Sequence, residues 1–340
     1  MLLRVITGRQ VTELLPMQRA IELMRSGFEA LAEGRTEMPQ RQCVKTNDGD
    51  ILLKPCWLPG RGLSVKLVTT CPDNPARGLP VVQGLVTVFD DVTGAPQAVI
   101  DAAELTSIRT GAGGGLAIDL LARPESASVA LIGAGVQARQ QLLAAMTVRP
   151  IARVTVFDPS DEAYAIMETV IGSHPDRPQI TRVANPDDGV ADADIVITAT
   201  TSPVPTFHGT ELRPGTHVNA IGAYKPDRRE LDGHTMRQAY VVVDGMEAAG
   251  REAGELLIPG ITPDAELGDL VTGTKPGRTS DDQITVFKSV GMAIQDAVTA
   301  CYVLEQANLL GIGREIELAD VPVGPRLSNG LEFEAYMPII

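Results

Sequence analysis

The sequence is poor in the residues that build metal sites and disulfide scaffolds. Its four cysteines, Cys43, Cys56, Cys71 and Cys301, show no C-x-x-C pair and no metal-ligand spacing, and so few in a chain of this length do not staple a fold. They read as free thiols of a reducing compartment. The four histidines, His174, His208, His217 and His234, are scattered, and no metal is expected. Basic charge is also short, because 29 Lys and Arg face 43 Asp and Glu, a formal net charge of -14. With no basic field to gather phosphates, neither nucleic acid nor an anionic membrane is expected as a partner. No apolar run approaches the roughly 18 residues of a membrane span. Residues 1–17 mix Arg4, Arg9 and Glu13 into short apolar runs, unlike the core of a signal peptide, so a cytoplasmic location is expected.

What is present is globular. A composition of 44% hydrophobic and 21% charged residues over 340 positions supports a folded chain of about two domains. Residues 18–31 place Ala20, Ile21, Met24, Phe28 and Leu31 at helical spacing, with Gly34 as a stop. Between Cys43 and Asp101 short strand-like runs alternate with Gly, Pro, Asn and Asp, which predicts an antiparallel meander with a hairpin turn at 91–94. A helix over 110–121 carries Gly113, Gly114 and Gly115. Glycine in a helix costs about 1 kcal/mol relative to alanine, so another backbone is expected to approach closely there. From Ser128 onward strands and helices alternate, which predicts a parallel, doubly wound sheet. A long helix is expected over residues 286–306.

The strongest chemical signal opens that second half. An apolar strand, Val129 to Ile132, runs into Gly133-x-Gly135-Val136-Gln137-Ala138, and a helical stretch follows. The first glycine permits a tight turn, the second lets backbone approach a pyrophosphate, and the small third residue lets helix pack on strand. The next strand ends in Asp158, near the acidic position expected about 20 residues on. An aspartate there accepts hydrogen bonds from a ribose and repels a 2'-phosphate, so NAD(H) is favoured while NADP(H) stays possible. Thr198, Ala199 and Thr200, and then Ala220 and Gly222, follow apolar strands at the edge where open α/β sheets bind ligands. Upstream, Arg41, Lys66 and Arg109 are basic residues in apolar or small-residue surroundings. Together they suggest a carboxylate pocket, since an arginine grips a carboxylate with two hydrogen bonds and a strand-interior lysine needs an anion.

The segments 64–70, 78–80, 104–112, 132–137, 198–201, 219–222, 266–269 and 286–291, taken together and in order, resemble the ornithine cyclodeaminase/mu-crystallin family over nearly the whole chain. The resemblance implies an α/β fold in which a Rossmann-type doubly wound parallel sheet, residues 116–305, is inserted in a second α+β substrate and dimerisation domain. That second domain would comprise residues 1–115 and a C-terminal return at 306–340. It also implies a homodimer, a substrate carboxylate held by Arg41, Lys66 and Arg109 beside the nicotinamide, and contact of Phe287 and Lys288 with the cofactor.

Departures choose among the family's chemistries. The cyclodeaminase pattern has an aspartate two residues after Gly222, where this chain has Tyr224 followed by Lys225. Its first-sheet glutamate falls near Leu52 or Leu53. Without those carboxylates a free ammonium side chain has no buried partner. The expected reaction is therefore NAD(P)H-dependent reduction of a small cyclic ketimine carboxylate, pyrroline-2-carboxylate or piperideine-2-carboxylate, with Lys66 as the catalytic residue. Ornithine or lysine cyclodeamination, alanine-type dehydrogenation, and non-catalytic cofactor binding as in mu-crystallin relatives are the alternatives.

Overall fold

The computed structural model describes residues 1–318. The part of the anticipated C-terminal return beyond 318 lies outside the described residues. Six early strands, β1 (Leu2–Ile6), β2 (Gln42–Lys45), β3 (Asp50–Leu58), β4 (Gly62–Thr70), β5 (Val82–Phe89) and β6 (Pro96–Asp101), form one sheet with the last of the described strands. Its order is β15-β1-β6-β5-β4-β3-β2, where β15 (Arg314–Glu317) pairs antiparallel with β1. The meander β2 to β6 is antiparallel throughout, as its short alternating runs predict. Only β1 and β6 run parallel. Along β3 and β4 burial alternates residue by residue, because successive side chains point to opposite faces. Leu52, Lys54, Cys56 and Leu58 face inward with Ser64, Lys66 and Val68.

That inner face is covered by α2 (Ala102–Leu121) and a late helix over Ala293–Leu310, against both of which α1 (Met17–Ala32) packs. Phe28, Leu105, Leu116 and Leu121 are fully enclosed, and each such side chain contributes about 1.5–3 kcal/mol by leaving water. Asp101 caps α2 by accepting the backbone N–H of Glu104 at 2.8 Å.

The second sheet contains β7 (Ser128–Ile132), β8 (Arg153–Phe157), β9 (Gln179–Arg182), β10 (Ile195–Thr198), β11 (His217–Ala220), β12 (Tyr240–Val243), β13 (Ala265–Glu266) and β14 (Thr285–Lys288). Its order, β13-β12-β14-β11-β10-β7-β8-β9, is parallel at every pairing. The α/β class and the doubly wound second half are thus as expected. The long helix expected from 286 is corrected. Residues 285–288 are a strand between β11 and β12, and the helix, here α4, begins only at Ala293. A short apolar run buried on both faces has no period that separates strand from helix. Helices α2 and α4 run across the anticipated boundaries at 115/116 and 305/306, and α4 packs into the core of the first sheet.

The glycines of α2 bring two helices together. The helix after β7, α3 (Val136–Val148), crosses α2 so closely that a Cβ on Gly111 would lie 2.7 Å from the Gln140 carbonyl oxygen. One on Gly114 would lie 1.9 Å from Gln141 Oε1. Gln141 donates to the Thr110 carbonyl at 2.7 Å, and Asn219 donates to Gln141 Oε1 and to the Gly114 carbonyl, each at 3.1 Å. Gly111→Ala pushes a methyl against backbone, which cannot rotate away. A loss of about 1–3 kcal/mol is expected, read as a lowered thermal midpoint; an unchanged midpoint would show that the helices part without cost.

Candidate active site between the two sheets

The glycine turn is built as its residue types require. Gly133 adopts φ 99°, a left-handed conformation open to glycine, and a Cβ there would meet the Ala199 carbonyl oxygen at 2.6 Å. Gly135, by contrast, is exposed, and a Cβ on it would meet nothing within 4 Å. It begins α3 without any side-chain cap, so the first-turn N–H groups of Val136, Gln137 and Ala138 are left to an anion. Ala138 is fully buried in the core between α3 and the sheet. Open approach at the second glycine and tight packing at the third position fit a dinucleotide pyrophosphate.

Asp158 ties this turn to β8. Its Oδ2 accepts from Ala134 N and its Oδ1 from Ser160 N, both at 2.7 Å. Each carboxylate oxygen has a second lone pair, so a ribose hydroxyl can still be accepted. At the next strand ends a residue with no sequence signal organises the edge. Glu230, fully buried, accepts from Thr198 Oγ1 at 3.0 Å, Thr200 N at 2.6 Å, Thr200 Oγ1 at 2.7 Å and Gly222 N at 2.6 Å. Burial raises its pKa against the pull of Lys288 and these donors. Glu230 lies in a polar loop that reads as solvated surface, and only the tertiary fold turns it inward.

Thr198 and Ala220 are fully buried, whereas Ala199, Thr200 and Gly222 keep some exposure at the edge. Phe287 and Lys288, expected at the cofactor, end β14 with their side chains turned away from the edge. Both are 0% exposed; Phe287 packs into the first core, and Lys288 Nζ is engaged by Glu255 Oε2 at 3.2 Å and the Ala223 carbonyl at 2.5 Å. These side chains brace the edge from behind and offer a ligand no exposed atom.

Facing that edge, Lys66 and Arg109 meet on one carboxylate, with Arg41 nearby. Lys66 Nζ lies 2.7 Å from Asp296 Oδ1, and Arg109 Nε reaches the same oxygen at 3.0 Å. Lys66 also donates to Thr106 Oγ1 at 3.2 Å, and Arg109 to Gln295 Oε1 at 2.8 Å. Asp296 Oδ2 is buried with no hydrogen-bond partner among the described residues. Burial pushes the Lys66 ammonium down to about 8, helped by Arg109 and opposed by Asp296. Burial would raise Asp296, but Arg109, Lys66 and Lys54 outweigh it and hold the carboxyl below its ordinary value.

Arg41 sits at the open side, where its Nε donates to Glu252 Oε1 at 2.6 Å and a terminal nitrogen to the Val290 carbonyl at 3.3 Å. The turn at 289–291 on which the cations gather is held by Asp244. Its Oδ2 accepts from Ser289 Oγ at 2.8 Å, Val290 N at 2.9 Å and Gly291 N at 2.6 Å. Sequence reading missed Asp296, Asp244, Glu252 and Lys54. Asp296 carried a usable signal, a carboxylate among the small and apolar residues of a helix's first turns after a glycine turn. At the positions where departures were noted, Leu52 is buried and Leu53 lies on the opposite face of β3. Tyr224 lies under the Lys225 ammonium, which pairs with Asp50 at 2.9 Å and joins the two sheets.

A Rossmann-type parallel sheet whose ligand edge faces a cation-lined cleft defines an α/β dinucleotide-binding class. Within it, the model of the ornithine cyclodeaminase/mu-crystallin family matches residues 3–309. The chain belongs to that family. It is 35% identical to a Delta(1)-pyrroline-2-carboxylate reductase of Bacillus cereus, covering 92% of this chain and 99% of that one. The solved structure of the Thermococcus litoralis Delta(1)-pyrroline-2-carboxylate reductase with NADH and L-proline superposes with TM-score 0.87 at 36% identity, over 92% of this chain and 99% of that one. An archaeal alanine dehydrogenase dimer with bound NAD superposes with TM-score 0.89 at 32% identity, over 94% and 100%.

Gly135 has φ -68° and open space around it, so Gly135→Val should fold normally while filling the approach to the helix N-terminus. NADH affinity, measured by fluorescence titration, is expected to fall about tenfold or more. Unchanged affinity would remove the pyrophosphate from this turn.

Proposed function

We propose that this protein uses NADH to reduce the C=N bond of a small cyclic ketimine carboxylate, pyrroline-2-carboxylate or piperideine-2-carboxylate, to proline or pipecolate. The observation that carries this reading is the buried pair Lys66 and Arg109 on Asp296, set opposite the cofactor edge with Leu52 and Tyr224 where a side-chain amine would need carboxylates. The relatives' named activities support it.

Bound NADH supplies the hydride. Arg41 and Arg109 hold the substrate carboxylate, which orients the imine carbon toward the cofactor edge. Asp296 fixes Lys66 and Arg109 relative to each other, and the low pKa of Lys66 suits a group that gives up a proton near neutrality. Lys66 Nζ carries the proton that the imine nitrogen requires as the carbon accepts hydride, so one hydride and one proton convert C=N to CH–NH. Below about pH 8 Lys66 holds that proton, and above it the proton is lost. Asp158 places NAD(H) ahead of NADP(H) by leaving a carboxylate where a 2'-phosphate would sit.

The likeness to an alanine dehydrogenase keeps a second substrate in view, the open-chain imine of pyruvate, which offers the same carboxylate and the same C=N carbon. A panel of pyrroline-2-carboxylate, piperideine-2-carboxylate, and pyruvate with ammonia, each with NADH and NADPH, separates the two readings. Turnover of a cyclic imine with NADH at the highest kcat/KM is expected. Proline release from ornithine without net NADH turnover would replace the reading with cyclodeamination. Lys66→Ala is expected to lower kcat/KM by about 10²–10⁴ with NADH binding kept. For the wild type, reductive kcat/KM falls as pH rises through about 8; a flat profile from pH 6 to 10 would take the proton-donor role from Lys66.

A homodimer formed through the outer face of the first sheet, working in the cytoplasm, completes the reading. Leu53 pairs with Leu67, Pro55 with Val65, Trp57 with Leu63, Leu63 with Phe89 and Leu67 with Leu85 across that face, and Trp57, Leu67 and Leu85 are 41%, 41% and 49% exposed. So continuous an apolar patch calls for a partner. Leu67→Glu should convert a dimer to a monomer in light scattering, and a wild type that is already monomeric would end the proposal.

A further inference from the structure

Lys54 is the one cation of the cleft that the sequence does not single out, and its surroundings are anomalous. It lies directly across from Lys66 in the β3–β4 register, on the same inward face, and is only 4% exposed. Its one hydrogen bond among the described residues runs from Nζ to the Gly291 carbonyl at 3.1 Å. No carboxylate among the described residues lies within ion-pair distance of it, although an ammonium has three protons to donate and a buried charge without a partner costs several kcal/mol.

The neighbouring charges explain the gap. Arg41 comes from the segment before β2, Lys66 from β4 and Arg109 from α2, all cationic. The acids are Asp244, just after β12, whose Oδ2 is taken up by Ser289, Val290 and Gly291, Glu252, from the helix Met246–Glu252, and Asp296 from α4. Glu252 is paired with Arg41, and Asp296 Oδ1 is shared by Lys66 and Arg109. Gly291 lets two of the cations close on one point. At φ 83°, a Cβ there would sit 3.0 Å from an Arg109 nitrogen and 3.5 Å from Lys54 Nζ. Four cations thus surround three acids, Asp244, Glu252 and Asp296, which leaves one positive charge in excess beside the 290–291 turn, where a ligand anion is the complement. Burial, together with Lys66 and Arg109, drives the Lys54 ammonium well below its ordinary pKa.

We infer that Lys54 is a further substrate-binding residue, the ammonium that, with Arg109, takes the substrate's carboxylate against the Gly291 turn. The inference rests on reading the cleft as the site of an imino-acid carboxylate. It assigns Lys54 to affinity and leaves hydride and proton transfer to the groups described above.

Lys54→Met keeps an unbranched chain of similar length and removes the ammonium. Its expected signature is a KM for pyrroline-2-carboxylate raised about 10- to 100-fold, with kcat within a few-fold of wild type, as for a contact made equally in ground and transition states. The thermal midpoint should be unchanged or higher, because an unpartnered buried cation is gone; a structural lysine would lower it and leave KM alone. Lys54→Arg should recover part of the lost affinity, and Lys54→Gln serves if the methionine variant does not fold. Pyrrole-2-carboxylate, a planar carboxylate that cannot be reduced here, is titrated calorimetrically into wild type and variant, free and NADH-loaded. Weaker binding to the variant supports the inference; wild-type KM and wild-type affinity for the probe overturn it. Failure of the reductase reading shows separately, as a wild-type enzyme that turns over none of the imines while the probe still distinguishes Lys54→Met.

Discussion

The site depends on one buried carboxylate. Asp296 joins Lys66 on β4 to Arg109 on α2 through a single oxygen, so three elements that meet nowhere else through charge are fixed by it. Two cations at this separation repel strongly in a medium of low dielectric, and the carboxylate between them makes their proximity tolerable. Its position near the start of α4 adds the favourable field of a helix N-terminus. Removal of such a partner from a buried pair costs about 3–5 kcal/mol, most of it from the charges left behind. The same arrangement sets chemistry, because it holds Lys66 charged at neutrality yet near its point of proton loss.

Around that pair the second sheet is tied to α2 by buried polar contacts. His217, enclosed in β11, is pushed down to about 3 by burial and is therefore neutral, bonded to Thr285 and Asn219 at 2.9 and 2.8 Å. Asn219 then reaches the α2 backbone at Gly114. Glu230 performs the same service at the ligand edge, and Asp244 at the 289–291 turn. These carboxylates and amides give each loop one conformation, which is what a hydride transfer over a short distance demands.

Much of this was legible residue by residue. Gly133, Gly135 and Ala138 take the places their sizes predict, since backbone torsion, open approach and close packing are local requirements. Gly111 and Gly114 signal helix contact for the same reason. Arg41, Lys66 and Arg109 were recognisable as costly cations in apolar company. Lys288 is also a buried cation, and its partners are internal, Glu255 and the Ala223 carbonyl; no periodicity reveals which buried lysine has an internal partner and which faces a cleft.

The sequence by itself determined the parallel sheet, the dinucleotide turn, the antiparallel meander and the basic trio, because alternation, glycine geometry and the cost of burying charge act over a few residues. Tertiary structure alone decided that residues 285–288 are a strand. It also decided that Phe287 and Lys288 brace the edge, that Asp296, Asp244 and Glu230 organise the cleft, and that Lys54 stands opposite Lys66. Each of those outcomes is a choice of partner between residues far apart in the chain, made by burial and charge pairing once the two sheets have closed on each other.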